Sequence, residues 1–187
     1  MGILAPDMSR TGLQNLTLVL GGARSGKSAF AEDLVADAGA RPVYIATAEA
    51  RDGEMHSRIA AHRARRGSAW DLRELPRATG ADMRGLTDPA LFDCLTLWLS
   101  NTMEAGDDWH AHAADLIAGF RASPAPVVAV SNEIGLGLVP DTALGRAFRD
   151  AQGTLNQMVA AEADTVIFVA AGLPLYLKGA GVSGRGS

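Results

Sequence analysis

Short apolar segments alternate along the chain with stretches in which apolar residues recur every three or four positions. The short segments carry too few polar residues for strands with one wet face, so they predict strands buried on both faces. The predicted strands span residues 16–20, 42–47, 90–99, 125–131 and 164–170. The predicted helices span residues 28–38, 53–66, 109–122 and 142–163. This alternation predicts an α/β fold with a mainly parallel sheet covered by helices on both faces.

The length of 187 residues suits one domain, which we place at residues 16–178. Residues 1–15 and 179–187 show no periodicity, and we expect them to form flexible extensions. Apolar residues make up 48% of the chain and charged residues 20%, which is typical of a soluble globular protein. A formal net charge of -4 favours neither nucleic acid nor membrane insertion, so any phosphate binding must be local.

Cysteine content and hydropathy indicate the compartment. The single cysteine, Cys94, lies in an apolar run and cannot form an intramolecular disulfide, so we expect it to be buried packing in a reducing compartment. No apolar stretch reaches the roughly 20 residues that span a bilayer, and the first residues do not resemble a signal peptide. The sequence therefore predicts a cytoplasmic protein.

The segment between the first predicted strand and the first predicted helix fits the pattern G-x-x-x-x-G-K-[ST] of a phosphate-binding loop. Its residues are Gly21, Gly22, Ala23, Arg24, Ser25, Gly26, Lys27 and Ser28. Glycines let the backbone amides face an anion, and the positive end of the following helix adds to the attraction. We expect Lys27 to reach the β and γ phosphates of a purine nucleoside triphosphate, and the Ser28 hydroxyl to bind Mg²⁺. The pattern predicts a single P-loop NTPase-like domain.

Such a loop needs a second acid near Mg²⁺, usually at the end of a neighbouring strand. Asp93, in the apolar run at residues 90–99, is the best candidate. A carboxylate in an apolar strand is costly unless it is paired with a cation. The alternative is a carboxylate capped by local amides.

Basic residues cluster on the helix predicted at residues 53–66. Arg58, His62, Arg65 and Arg66 fall at helical spacings and can lie along one side. Arginines beside an imidazole could bind a second set of phosphates and leave a neutral ring nitrogen free to attack phosphorus. A solvated basic face explains the same spacing equally well.

The segment at residues 131–140 forms a polar, glycine-containing loop at the end of a predicted strand. Asn132 and Glu133 offer polar groups, and two glycines, Gly135 and Gly137, permit close approach of a ligand. We expect the loop to line the site, while a tight turn stabilised by Asn132 remains the alternative.

With these motifs in place, residues 16–178 resemble the bifunctional adenosylcobinamide kinase and adenosylcobinamide-phosphate guanylyltransferase family of cobalamin biosynthesis. The resemblance is carried, in order, by GGARSGKS, PVYIATAEA, EMHSRIAAHRARR, DCLTLWLSN, SNEIGLGLVP and FRDAQGTLNQMVAAEAD. In that family a triphosphate phosphorylates adenosylcobinamide. A histidine then takes GMP from GTP and passes it to adenosylcobinamide phosphate.

The resemblance implies site residues and partners. The matching histidine here is His62, with Lys27 serving the kinase step. Further nucleotide contacts implied by the resemblance are Thr47, Ala48, Glu49, Arg63, Ala64, Arg65, Arg66, Glu74 and Asp93. GTP, ATP and Mg²⁺ are the implied cofactors, and adenosylcobinamide and adenosylcobinamide phosphate the implied substrates. The family is typically trimeric, which implies a homo-oligomer.

Two other functions fit parts of the sequence. The first is a plain small-molecule kinase of the P-loop class, in which the basic helix only holds an anionic acceptor. The second is a nucleotide-regulated binding module that hydrolyses slowly and signals to a partner. Such a module needs a loop that senses the γ-phosphate, and the sequence presents no distinct candidate for that task.

Overall fold

A computed structural model describes residues 13–38, 41–49 and 69–179. The helix predicted at residues 53–66 lies outside these ranges. Within them the chain forms a seven-stranded sheet of order β3-β2-β4-β5-β1-β6-β7. Its strands are β1 Leu16–Gly21, β2 Val43–Ala46, β3 Asp71–Glu74, β4 Ala90–Asp93, β5 Val127–Asn132, β6 Thr165–Ala170 and β7 Leu173–Lys178. The helices are α1 Lys27–Ala36, α2 Gly80–Arg84, α3 Leu95–Glu104, α4 Trp109–Ala122 and α5 Ala143–Glu162.

The sheet is parallel from β3 to β6, and β7 pairs with β6 in the antiparallel sense. Strand β1 lies near the middle and is buried along its whole length. Because side chains alternate along a strand, Leu16, Leu18 and Leu20 pack with α3, α4 and α5 on one face. Val19 packs with α1 on the other face. The predicted α/β architecture, with helices on both faces, is confirmed.

The single strand predicted at residues 90–99 is wrong. Strand β4 ends at Asp93, and α3 begins at Leu95. Leu95, Trp98 and Leu99 are buried at the three- and four-residue spacing of a helix. An unbroken apolar run hides such a change of period, because every position in it can be buried in either conformation.

Three elements at the margins of the fold lie outside the predicted strands and helices. Strands β3 and β7 lie at the two edges of the sheet, and their residues alternate between partly buried and exposed positions. Strand β3, with the sequence DLRE, lacks the continuous apolar character that marks the central strands, and β7 contains Pro174, which is unfavourable inside a strand. Helix α2 has five residues, and a capping box between Thr79 and Asp82 holds its first turn. No helix in the described ranges is long and apolar enough to cross a membrane.

Candidate nucleotide site

The phosphate loop leaves β1 at a glycine that no other residue could replace. A Cβ atom on Gly21 would lie 2.5 Å from Oγ of Ser25 and 2.6 Å from the carbonyl oxygen of Val169. Gly26 has a φ of 94°, where side chains are strained, and its Cβ would lie 3.2 Å from Cα of Gly172. Gly172 also donates its N–H to the Ser25 carbonyl over 2.8 Å. The turn between β6 and β7 therefore packs against the phosphate loop.

The loop presents the start of α1 to solvent. Gly26 occupies the position before the helix, is exposed, and has no side chain to cap the first amides. The N–H of Lys27 makes a long contact of 3.4 Å with Oγ of Ser25. Uncapped amides at a helix start carry partial positive charge and attract an anion. Ser28 follows in the first turn and is half-buried.

The Lys27 side chain folds back over the loop. It is 9% exposed, and its Nζ donates a hydrogen bond of 3.2 Å to the Gly22 carbonyl. Burial lowers the pKa of Lys27 from 10.5, while the nearby negative charge of Asp93 acts in the opposite direction. A phosphate at this position would supply the countercharge that the buried ammonium needs.

Asp93 stands at the end of β4, where the chain turns into α3. The hydroxyl of Tyr44, on the adjacent β2, donates a hydrogen bond to Oδ2 of Asp93. The Thr47 hydroxyl donates to the Cys94 carbonyl over 2.8 Å and accepts from the Cys94 N–H over 2.7 Å. The Thr47 side chain therefore bonds to both backbone groups of Cys94, and the Cys94 carbonyl also accepts the Trp98 N–H over 3.1 Å.

Further contacts make this turn rigid. Nδ2 of Asn101 donates to the carbonyls of Thr47, at 2.8 Å, and Pro76, at 2.9 Å. The ends of β2 and β3 are therefore tied to α3. Cys94 is a buried free thiol, as predicted, and burial raises its pKa from 9.0 to about 11. It remains a neutral thiol near pH 7.

Strand order sets the spacing between the two turns. Strand β5 lies between β1 and β4, so Asp93 is two strands from the phosphate loop and not on its immediate neighbour. At about 4.8 Å per strand this corresponds to roughly 10 Å across the sheet. Asn132, at the end of β5, lies in register with Gly21 and occupies the strand end between the two. This width can accommodate a phosphate and a metal ion.

A buried hydrogen-bond network holds the end of β5. The Ser131 hydroxyl donates to Oδ1 of Asn156 over 2.6 Å, and Nε2 of Gln152 donates to both, each over 2.9 Å. Nδ2 of Asn156 donates to the Asn132 carbonyl over 3.1 Å. The N–H of Asn132 donates to Oγ1 of Thr96 over 3.0 Å. Helices α3 and α5 therefore fix the point where the next loop leaves the sheet.

The other predicted contacts are distributed unevenly. Ala48 and Glu49 follow β2 and are half-buried, while Glu74 ends β3, is exposed, and lies four strands from β1. Thr47 is fully buried, and its hydroxyl is committed to Cys94. The remaining predicted residues lie outside the described ranges: His62, Arg63, Ala64, Arg65 and Arg66. For all of these residues, nucleotide contact stays a prediction.

Fold and loop together define a P-loop nucleotide-binding protein. Two solved structures share the fold. The flagellar accessory protein FlaH from Methanocaldococcus jannaschii has a TM-score of 0.52 and 13% identity, with 90% of this chain and 80% of that chain covered. The RadB recombinase has a TM-score of 0.50 and 15% identity, covering 84% of this chain and 75% of that one. Identities this low establish the architecture alone.

Sequence similarity identifies the family. Residues 17–177 match the family CobU, described as cobinamide kinase / cobinamide phosphate guanyltransferase. The bifunctional adenosylcobalamin biosynthesis protein CobP of Pseudomonas aeruginosa is 46% identical over 167 residues, covering 87% of this chain and 96% of that protein. Its counterpart CobU of Escherichia coli is 37% identical over 182 residues, covering 87% and 99%. The chain belongs to this family of bifunctional enzymes of adenosylcobalamin biosynthesis, as its motifs predicted.

Proposed function

We propose that the phosphate loop and Lys27 perform the kinase step, in which the hydroxyl of adenosylcobinamide attacks the γ-phosphorus of ATP or GTP. The bond from that phosphorus to the bridging oxygen breaks, and the nucleoside diphosphate leaves. Negative charge grows on the bridging oxygen, where the ammonium group of Lys27 stabilises it. The supporting observation is the buried position of Lys27 beside uncapped helix amides.

Ser28 and Asp93 fit a magnesium site shared with the nucleotide. Both carry oxygen ligands at the same edge of the sheet, and Tyr44 orients the carboxylate. The described residues contain no cluster of three or more histidine, cysteine or acidic side chains. This composition suits an ion that takes most of its ligands from phosphates and water. When bound, Mg²⁺ neutralises charge on the β and γ oxygens.

We propose His62 as the nucleophile of the guanylyltransferase step. A neutral ring nitrogen attacks the α-phosphorus of GTP, a nitrogen–phosphorus bond forms, and pyrophosphate leaves. A phosphate oxygen of adenosylcobinamide phosphate then attacks the phosphorus of the bound GMP, a new phosphorus–oxygen bond forms, and the nitrogen–phosphorus bond to the histidine breaks. An imidazole suits both halves because it is nucleophilic when neutral and leaves readily once protonated. The arginines from Arg63 to Arg66 would bind the phosphates.

The wider setting follows from the same family membership. We propose that the enzyme acts in the cytoplasm and that it assembles as a homo-oligomer, specifically a trimer. The exposed leucines along one side of the edge strand β7, Leu173, Leu175 and Leu177, offer apolar surface for contact between copies.

Labelling the enzyme with GTP that carries radioactive α-phosphorus tests the histidine. We expect a protein adduct that is labile in acid, stable in alkali and lost in His62→Ala. His56→Ala is the matched control, because it removes another histidine from the same segment, and it should keep the adduct. A protein that transfers the γ-phosphate but never forms the adduct would instead be the plain kinase.

A further inference from the structure

An unusually exposed apolar segment follows β5. Leu136 is 82% exposed, Leu138 95%, Val139 62% and Leu144 75%. We call residues 134–144, which include the first turn of α5, the apolar loop. Isolated apolar side chains are common on protein surfaces, but contiguous groups of them mark binding sites. Within the described ranges these four side chains are not covered by other residues.

The apolar loop is anchored at its first end to the phosphate loop itself. The N–H of Glu133 donates to the Gly21 carbonyl over 3.1 Å. Oε1 of Glu133 then accepts the N–H of Gly135 over 2.6 Å, which turns the chain outward. The loop therefore starts at a fixed point beside the phosphate-binding residues.

The second end is fixed as firmly. Nη1 of Arg146 donates to the carbonyls of Pro140, at 3.0 Å, and Asp141, at 2.9 Å. Oγ1 of Thr142 accepts the N–H of Gly145 over 3.0 Å and caps α5. With both ends held, the leucines and Val139 are presented at the tip of a braced loop.

The location restricts what can cover the tip. Strand β5 lies between the strand that carries the phosphate loop and the strand that carries Asp93. The loop therefore leaves the sheet at the edge where the γ-phosphate must meet its acceptor. That acceptor is a corrinoid, a large macrocycle whose rim carries both methyl groups and amide side chains, joined by a flexible arm to the reacting hydroxyl. A braced apolar surface beside the phosphate site matches such a ring.

We propose that Leu136, Leu138 and Val139 form the surface on which the corrin ring of adenosylcobinamide rests while its hydroxyl arm reaches the phosphate loop. The proposal rests on the kinase function above and assigns the acceptor subsite. Contact with the ring removes apolar surface from water, so these side chains contribute to acceptor affinity and not to nucleotide affinity.

The test uses the full-length double variant Leu136→Ser, Leu138→Ser. We expect its KM for adenosylcobinamide to rise by roughly 30-fold, with kcat and the KM for nucleotide unchanged. Adenosylcobinamide retained in ultrafiltration without nucleotide should fall in parallel. Leu72→Ser is the control, because Leu72 is 37% exposed on the edge strand β3, away from the apolar loop, and it should change neither value.

Three outcomes would overturn the assignment. One is an unchanged KM for adenosylcobinamide in the double variant. Another is an equal rise in the KM for nucleotide, which would place the effect in the phosphate site. The third is a changed sedimentation coefficient in the double variant alone, which would assign the tip to contact between copies. Failure of the unaltered enzyme to phosphorylate adenosylcobinamide would instead refute the kinase function itself.

Discussion

The chain turns from strand to helix twice at the same edge of the sheet, and the two turns treat their polar groups in opposite ways. Between β1 and α1 an exposed glycine precedes the helix, and the first amides are left uncapped. Between β4 and α3 the N–H and C=O of Cys94 are both bound by the Thr47 hydroxyl. One turn leaves the start of its helix without a side-chain cap, whereas the other has its backbone groups bonded within the protein.

The difference follows from what each turn has to do. A site for a triphosphate gains affinity from donors that are not already bonded within the protein. An acid proposed to serve a metal ion gains from a fixed orientation, and the Tyr44 hydroxyl provides one for Asp93. The same edge of the sheet therefore combines uncapped backbone amides at the start of α1 with the carboxylate of Asp93, which is held in a fixed orientation.

Removing the ammonium group of Lys27, in the turn between β1 and α1, should have the largest effect. We expect Lys27→Ala to slow the kinase step by roughly 1000-fold, because it removes the positive charge that stabilises the bridging oxygen. The unfolding midpoint should not fall, because burial already disfavours this charge in the empty site. Steady-state kinetics and urea denaturation measure the two quantities.

Lys178→Ala is the matched control, since Lys178 is the only other lysine in the sequence. Its Nζ donates to the carbonyls of Ala160 and Ala161, away from the loop. Equal rate losses in the two variants would remove the special role of Lys27.

The protein should lose stability when the Thr47 hydroxyl, which bonds to the turn between β4 and α3, is removed. Thr47→Val leaves the Cys94 N–H unpaired in the interior, whereas the Cys94 carbonyl keeps the N–H of Trp98, so we expect the free energy of unfolding to fall by about 1–3 kcal/mol. Thr17→Val is the control, because Thr17 is also fully buried but its Oγ1 has no hydrogen-bond partner within the described part of the chain. That variant should be neutral or stabilising in urea denaturation, and similar losses in both would contradict the role of Thr47.

The smallest effect concerns the thiol of Cys94, in the turn between β4 and α3. Because burial raises the pKa of Cys94 from 9.0 to about 11, the reactive thiolate is about 100-fold scarcer at pH 8 than in an ordinary cysteine. We expect iodoacetamide to label the native protein slowly and the urea-unfolded protein quickly, with native labelling rising as the pH approaches 11. Mass spectrometry gives both rates. Fast native labelling at pH 8 would mean that the turn opens.

The amino-acid sequence determined the phosphate loop and the central strands by itself. Gly21, Gly26 and Lys27 act through local backbone geometry, so a spacing of a few residues is enough to recognise them. The buried strands are equally local signals, because burial on both faces demands continuous apolar residues. The same sequence carried the family's motifs and therefore its activity.

Only the tertiary structure decided how distant segments meet. The division of residues 90–99 into a strand and a helix depends on packing against α4 and the sheet, which an apolar run cannot specify. The pairing of Thr47 with Cys94, 47 positions away, and the placement of Asn132 beside Gly21 arise from strand order. Edge strand β3 is mostly charged and β7 contains a proline, so neither carries the pattern of a buried central strand. Local patterns are set by neighbouring residues, but strand order is set by which surfaces the whole chain can bury together.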